Sequence, residues 1–335
     1  MRTLVISSYP PRHCGIGAYA AADVERLKGQ GHDVVVLSPP DGDGDVRLPF
    51  FGGRPFLAAA RLALRFDRVL LHFEPGLYYK RRAPVSKVLS SLGLWWLIRR
   101  RPGTEILVHE ASARPRLWRP DHVLLRSAFA RANLLFHSDR EREALARAYR
   151  LRVEGAIVPH TNGVRIASEV SRNDARSILD VEPGERLFLC AGFLHPAKGF
   201  ERAVRAFRQA GSPGRLLVVG SVRQPTPEAL SYSRTLRELC ESTPGVTLVE
   251  RYVSDEEFDT WIAAADVFIL PYRRAWSSGA LARAQKLGTP AFVAAVGGME
   301  EQAGPQDTVF RTEGELVDLI RRVDATRVLP DHEVG

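Results

Sequence analysis

Leu187-Phe188-Leu189-Cys190-Ala191-Gly192-Phe193-Leu194-His195-Pro196-Ala197-Lys198-Gly199-Phe200 is the stretch whose reading decides the fold. A short apolar run, 187–193, has the length and composition of a buried strand. A turn with glycine and proline ends it, and 199–210 continues at helical spacing. The same grammar repeats downstream. Residues 216–220 form a strand, and 228–241 a helix with Leu230, Leu236 and Leu239 on one face. Val246–Glu250 is a strand, and Ser254-Asp255-Glu256-Glu257 is a capping box that opens a helix to Ala264. Strands at 266–271 and 290–295 flank a helix at 279–287, and 314–323 is the closing helix. Strand and helix in strict alternation imply right-handed crossovers and a parallel sheet.

Upstream, the pattern is looser. A strand at 3–7 leads to a helix at 17–28, with Tyr19, Val24 and Leu27 on its apolar face and Gly29-Gln30-Gly31-His32 at its end. Strand-length apolar runs recur at 34–37, 68–72, 105–109 and 134–136. Ser138-Asp139-Arg140-Glu141 is a second capping box, opening a helix at 140–150. A polar stretch, 162–185, closes in Glu182-Pro183-Gly184-Glu185 and separates the halves. The expected organisation is one α/β domain over 1–165, a second over 166–325 and a tail over 326–335. Ligands are expected in a cleft between the domains, beyond the carboxyl ends of the strands.

The bulk numbers agree. At about 150 residues per domain, 335 residues make two. Hydrophobic residues at 45% and charged residues at 26% exclude a mostly disordered chain. Forty-seven basic side chains against 39 acidic ones leave a formal charge of +8, which favours anionic partners. Three scattered cysteines, Cys14, Cys190 and Cys240, support neither a disulfide framework nor a zinc site, and point to a reducing cytoplasm. The first apolar run is cut by Pro10-Pro11, too soon for a signal peptide core. No apolar window is long enough to span a membrane.

Three strand-to-helix loops can hold an anion. In the first, Gly15-Ile16-Gly17 opens a helix, where glycines let backbone N–H groups approach a phosphate. In the second, Lys198 stands at a helix start, where the dipole disfavours a cation unless an anion joins it. In the third, Ser277-Ser278-Gly279 follows Arg273-Arg274 and precedes a helix. Each loop alone could be a plain turn or cap. Their recurrence at equivalent points of two sheets carries more weight.

Together with Ala264-Ala265-Asp266-Val267, Leu270-Pro271 and Gly288-Thr289-Pro290, these loops make the chain resemble the retaining glycosyltransferases of family 4 over residues 3–323. The resemblance implies the GT-B type fold, with two facing Rossmann-like domains, an acceptor-side one first and a nucleotide-sugar-binding one second. It implies transfer of a sugar, with retention, from a UDP- or GDP-type donor to a glycan, lipid-linked or small-molecule acceptor. No other cofactor and no metal are called for. Gly15, Gly17, Lys198, Ser277, Ser278 and Gly279 would bind the donor. His109, in Val108-His109-Glu110, would face the reacting sugar, with Lys198 stabilising the leaving diphosphate. The chain departs from the family in having Phe193 where an arginine is usual, and Ala275 and Arg283 where two glutamates are common. An arginine has no acceptor to offer a ribose. A relative that binds a nucleotide sugar without turnover is therefore the competing reading.

Two other stretches need a reading. Residues 78–101 hold seven cations, an apolar segment with Trp95-Trp96 and no acid, a composition that suits an anionic membrane surface as well as a core-facing helix with a basic rim. The protein would then be cytoplasmic and peripheral to the inner face of the membrane. Asp41-Gly42-Asp43-Gly44-Asp45 is read as a solvated loop rather than a metal site. Nothing resembling a zinc finger or an RNA-recognition motif supports nucleic-acid binding.

Overall fold

Short Val/Leu runs become strands here because both faces of each sheet are covered by helices. The computed structural model describes residues 1–80, 82–111, 115–223 and 225–323, so Arg81 and the expected tail lie outside the described residues. The chain divides into two compact units, Met1–Val164 and Arg165 onward. The first runs β1 (Arg2–Ile6), α1 (Gly15–Gly29), β2 (Asp33–Ser38), β3 (Val46–Arg47), α2 (Arg54–Leu62), β4 (Arg68–Phe73), α3 (Pro75–Tyr78), α4 (Pro84–Arg100), β5 (Glu105–Val108), α5 (Pro120–Phe129), β6 (Asn133–Phe136), α6 (Asp139–Tyr149) and β7 (Ala156–Ile157). Its seven strands are parallel, in the order β3-β2-β1-β4-β5-β6-β7. Leu4 pairs with Val35 on one side and Val69 on the other, so the chain order reverses at β1.

The second unit runs α7 (Arg172–Ile178), β8 (Leu187–Ala191), α8 (Phe200–Gln209), β9 (Arg215–Gly220), α9 (Pro227–Glu241), β10 (Val246–Glu250), α10 (Asp255–Ala264), β11 (Val267–Leu270), α11 (Gly279–Lys286), β12 (Ala291–Ala294), α12 (Met299–Gln302), β13 (Thr308–Phe310) and α13 (Glu313–Arg322). Its six strands are also parallel, ordered β10-β9-β8-β11-β12-β13, with the reversal at β8. Every residue of β8 is buried, and Phe188, Phe200, Phe207 and Phe268 fill the core around it. Each unit is thus a Rossmann-like parallel α/β layer structure.

The expected strands and helices are present to within a few residues. β8 stops at Ala191, short of the expected Phe193, because Gly192 turns the chain at φ +136°. Both capping boxes form: Ser138 accepts from the Glu141 amide and Ser254 from that of Glu257. The polar stretch at 162–185 contains α7. Its residues Arg172 and Arg176 reach Asp266 at 2.6 and 3.4 Å, and Asp266 also accepts from the Leu187 amide at 2.6 Å. One carboxylate therefore ties a helix to the start of β8 and to β11.

Helix α4 has two apolar faces. Leu94, Leu97 and Ile98 are buried, while Val85, Leu89, Leu92 and Trp96, at helical spacing, remain exposed. Gly53 and Gly93 let α4 press against the turn before α2, since a Cβ on Gly53 would lie 2.4 Å from the Leu89 carbonyl.

Replacing Asp266 with Ala leaves two partly buried guanidinium groups and an amide without their partner. The expected loss is about 3 kcal/mol, with Asp266→Asn losing less because it keeps an acceptor. Denaturant unfolding of the three proteins measures it.

Candidate functional site

In the second unit the loops after β8 and β11 are built as one piece. The Ala197 carbonyl accepts from the amides of Arg273 (2.8 Å) and Arg274 (3.3 Å). Gly199 permits the contact: a Cβ there would lie 2.4 Å from the Pro271 carbonyl, and its φ of +62° is left-handed. Lys198 is half-buried, with Nζ 3.9 Å from the centroid of the Tyr272 ring, a cation–π distance. Tyr272 is fully buried, and its hydroxyl lies 3.4 Å from Ser278 Oγ. Lys198 and the start of α11 are thus brought together through a side chain that sequence reasoning missed. A tyrosine directly after Leu270-Pro271 was the signal available.

The serine loop works differently from the expectation that all three residues offer free donors. Ser278 Oγ caps the Leu281 amide at 3.2 Å, and the Ser278 amide is taken by Gln302 Oε1 at 2.7 Å. Gln302 Nε2 returns a bond to the Ser278 carbonyl. The first-turn amides not used this way are those of Gly279 and Ala280, and no acidic residue stands in that turn to compete with an anion. Ser277 is half-buried beside them. Arg273, placed by sequence beside the phosphate cradle, turns to Glu201 instead, which raises its pKa through that hydrogen bond. Among the described residues Lys198 and Arg274 form no ion pair.

The two positions where glutamates are common, Arg283 and Ala275, also resolve in the structure. Arg283 pairs with Asp255 and with the buried Asp259, each at 2.9 Å, and donates to the Arg165 carbonyl. Asp259 in turn accepts from the amides of Ala167 and Ser168. Desolvation raises the Asp259 pKa, and Arg283 opposes it. This position secures the first stretch of chain in the unit and, as a guanidinium, has no acceptor to offer a ribose. Ala275 lies where the backbone of Gly297 presses in, since a Cβ there would sit 1.9 Å from the Ala275 carbonyl.

In the first unit, α1 begins at Gly15 without a side-chain cap and without an acid in its first turn. A Cβ on Gly17 would lie 3.3 Å from the Tyr9 amide nitrogen, so glycine keeps the helix start against the end of β1. Buried Ser7 and Ser8 stand there with hydroxyls unpartnered.

His109 follows β5, as read from sequence, but it has company. His72 is the penultimate residue of β4, His137 follows β6 and His160 lies three residues past β7. All four rings surround Tyr19 of α1, with centroids 5.1 to 5.6 Å from its own. Gly163 makes room, since a Cβ there would overlap the Tyr19 ring. Burial lowers the pKa of each histidine: to about 4 for His72 and about 3 for His160, well below 6.5 for His109, and below it for His137. The four are neutral imidazoles at pH 7. Sequence reasoning found one of them. The missed signal was positional, a histidine at the end of each of four successive strands.

The Asp41–Asp45 loop is structural. Asp41 pairs with Arg12, Asp43 with Arg47, and Asp45 accepts from the Val36 amide. Among the described residues no group of three or more His, Cys, Asp or Glu side chains could hold a metal.

The depressed histidine pKa values make the first unit acid-sensitive. A histidine held below its unfolded value stabilises the fold above pH 6.5, and that stability is lost as pH falls from 6.5 toward about 4 for His72. Hydrogen exchange across this range is expected to show residues 1–164 losing protection before 165–323.

Residues 185–324 match the family model described as glycosyl transferases group 1. A D-inositol 3-phosphate glycosyltransferase from Rhodococcus erythropolis is 32% identical over 155 residues, 44% of this chain, and the match spans about a third (34%) of that relative's length. Sucrose-phosphate synthase from Thermosynechococcus elongatus superposes with a TM-score of 0.71 at 18% identity, covering 96% of this chain and 89% of that one. Anabaena HepE in complex with UDP superposes at 0.70 and 16% identity, with the same coverages. At these identities the superpositions establish the fold, which is that of GT-B glycosyltransferases. The likeness to the glycosyl transferases group 1 model thus lies within the second unit of the chain.

Proposed function

We propose that the chain is a glycosyltransferase that moves a sugar from a nucleotide-diphosphate donor to an acceptor, with retention at the sugar carbon. The observation that carries this reading is the single construction of the loops after β8 and β11. It sets an unpaired lysine over Tyr272 and opens the amides of Gly279 and Ala280 beside it, within a group 1 domain. Departure of the nucleotide leaves charge on the diphosphate as the sugar gains oxocarbenium character. Lys198 and those amides are fixed donors for that charge. Gly15 and Gly17 offer further amides to the donor, and Ser277 lines the α11 start. Front-face attack by the acceptor hydroxyl, with the leaving phosphate taking its proton, accounts for retention. The scheme calls on no metal and no resident cofactor. The first unit is assigned to the acceptor, with His109 in contact with substrate.

Thermal-shift measurement against UDP, GDP and their sugars tests the donor assignment, with UDP first because HepE was solved with it. A ligand at about 100 times its Kd adds roughly 2.7 kcal/mol. The expected result is a rise in Tm with one nucleotide diphosphate, weakened at least about tenfold in affinity by Lys198→Ala, as befits loss of a charge-assisted contact. No response to any nucleotide overturns the reading. Binding without hydrolysis or transfer favours the non-catalytic relative, for which the absence of carboxylates at Ala275 and Arg283 speaks.

We further propose that the outer face of α2 and α4 rests on an anionic membrane, which would place the protein in the cytoplasm against the inner leaflet. Helices α2 and α4 pack together. Exposed side chains on these helices and on the turn 63–65 that follows α2 include Leu57, Leu64, Val85, Leu89, Leu92 and Trp96, interleaved with Arg54, Arg61, Arg65, Arg99 and Arg100. No acid occurs in 46–66 or 75–104. Arg99 and Arg100 lie over the rings of Trp95 and Trp96. An apolar stripe edged by cations of one sign matches anionic headgroups above acyl chains. No helix among the described residues is long and apolar enough to cross a membrane. Co-sedimentation is expected with vesicles of phosphatidylglycerol but not of phosphatidylcholine, and is expected to fall with added salt and in Arg99→Glu/Arg100→Glu. Equal binding to both vesicle types, or to neither, excludes the proposal.

A further inference from the structure

The four strand-end histidines are not equivalent, and the difference concerns where the protons sit. His72 is wholly buried, with Nδ1 3.1 Å from His109 Nε2 and the two rings nearly parallel at 14°. The other side of His72 faces α1: its Nε2 has no hydrogen-bond partner and lies 3.7 Å from Asp23 Oδ2. That separation is too long for a hydrogen bond and short enough for strong electrostatic influence in a buried site. Asp23 is 4% exposed and anchored on its other oxygen by Arg26 Nε at 3.0 Å and by Arg26 Nη2.

A neutral imidazole carries one N–H and one lone pair. Beside a buried carboxylate, the N–H edge of His72 is favoured on Nε2 and the lone pair is repelled from it. The lone pair then sits on Nδ1, where it can accept only if His109 Nε2 carries a proton. His109 must in turn keep its own lone pair on Nδ1. The other groups around the pair leave this order intact. Tyr19 of α1 meets both rings edge-on. Arg68 of β4 is held bidentate by Glu105 of β5. His137 donates from Nδ1 to the Val158 carbonyl at 3.0 Å, because a carbonyl can only accept. His160 stacks on His137 at 4.5 Å.

We propose that Asp23, acting through His72, is a positioning residue that fixes His109 as the Nε2–H tautomer and so leaves Nδ1 of His109 as the acceptor presented to a substrate hydroxyl. The tautomer assignment stands on geometry alone, and its use on a hydroxyl rests on the acceptor-side reading of the first unit. His109 then cannot donate from Nδ1 to a phosphate or carbonyl, so the ligand group it takes is one that brings its own proton.

Long-range proton–nitrogen NMR of the imidazoles in the full chain, at a pH above 7, reads each tautomer without any substrate. The wild type is expected to show His72 and His109 as Nε2–H forms and His137 as Nδ1–H, which serves as an internal contrast. Asp23→Asn is expected to replace the single His109 form by a mixture, and Asp23→Glu to restore it. In sugar transfer, the Asn variant is expected to lower kcat more than it raises KM. A wild-type spectrum with the His109 proton on Nδ1 overturns the proposal even if no variant folds, and so does an Asn variant whose His109 signals are unchanged. An altered tautomer in a protein that transfers no sugar leaves the positioning intact and refutes the proposed function instead.

Discussion

Strands that all run one way must all end at one edge of their sheet, and nearly everything functional in this chain follows from that constraint. Parallel pairing requires a crossover after each strand, so each carboxyl end is followed by a turn that need not fill the core. In the first unit the carboxyl end of β4 brings His72, and the turns after β1, β5, β6 and β7 bring Ser7 and Ser8, His109, His137 and His160, to one edge. In the second unit the turns after β8 and β11, neighbours in the sheet, deliver Lys198 and Tyr272. Residues far apart in sequence, His72 and His109 or Lys198 and Tyr272, meet because their strands do. The reversal of strand order at β1 and β8 opens space beside these ends, where other crossovers would otherwise cover them.

The two units use that edge in opposite electrostatic ways. In the second, most cations near the edge are neutralised by carboxylates: Arg273 by Glu201, Arg202 by Glu313, Arg283 by Asp255 and Asp259. Lys198 is held by an aromatic face, which attracts a cation without cancelling its charge. The helix dipole of α11 adds to the same field. In the first, burial strips charge from four histidines, leaving donors and acceptors whose direction is set by Asp23 and by the Val158 carbonyl. A charged edge suits a polyphosphate. A neutral, polarised edge suits hydroxyl groups.

What the sequence disclosed follows from how local each cause is. The strands of the second unit were legible because burial on both faces gives continuous Val/Leu runs, and the capping boxes because Ser and Glu three apart are enough. Helices α2 and α5 were not read: α2 has Arg54 and Arg61 among its apolar residues, and α5 begins at Pro120, a residue that reads first as a breaker. Strands β3 and β7, two residues each, exist through pairing with β2 and β6 and have no pattern of their own. At the site, Lys198 and the glycine loops were visible as local motifs. The occupation of the Ser278 amide by Gln302 was not, because 24 residues separate them. Nor was the fate of Arg283, whose partners come from α10 and the chain before α7.

Arg283 shows why a residue type missing from a motif is weak ground for judging a site. An arginine in place of a carboxylate removes an acceptor and adds a positive charge on α11, inside the second unit. Left unpaired and partly buried, that charge would cost several kcal/mol. Asp259, 0% exposed, removes the cost while fastening the Ala167 and Ser168 amides, so the substitution has become part of the scaffold at the head of α7. With the charge of Arg283 balanced by two carboxylates, Lys198 over Tyr272 and the open amides at the start of α11 remain the positive features of that pair of loops. What changes is the chemistry this position offers: a guanidinium presents donors and no acceptor, so a hydroxyl group that needs an acceptor has to find it elsewhere.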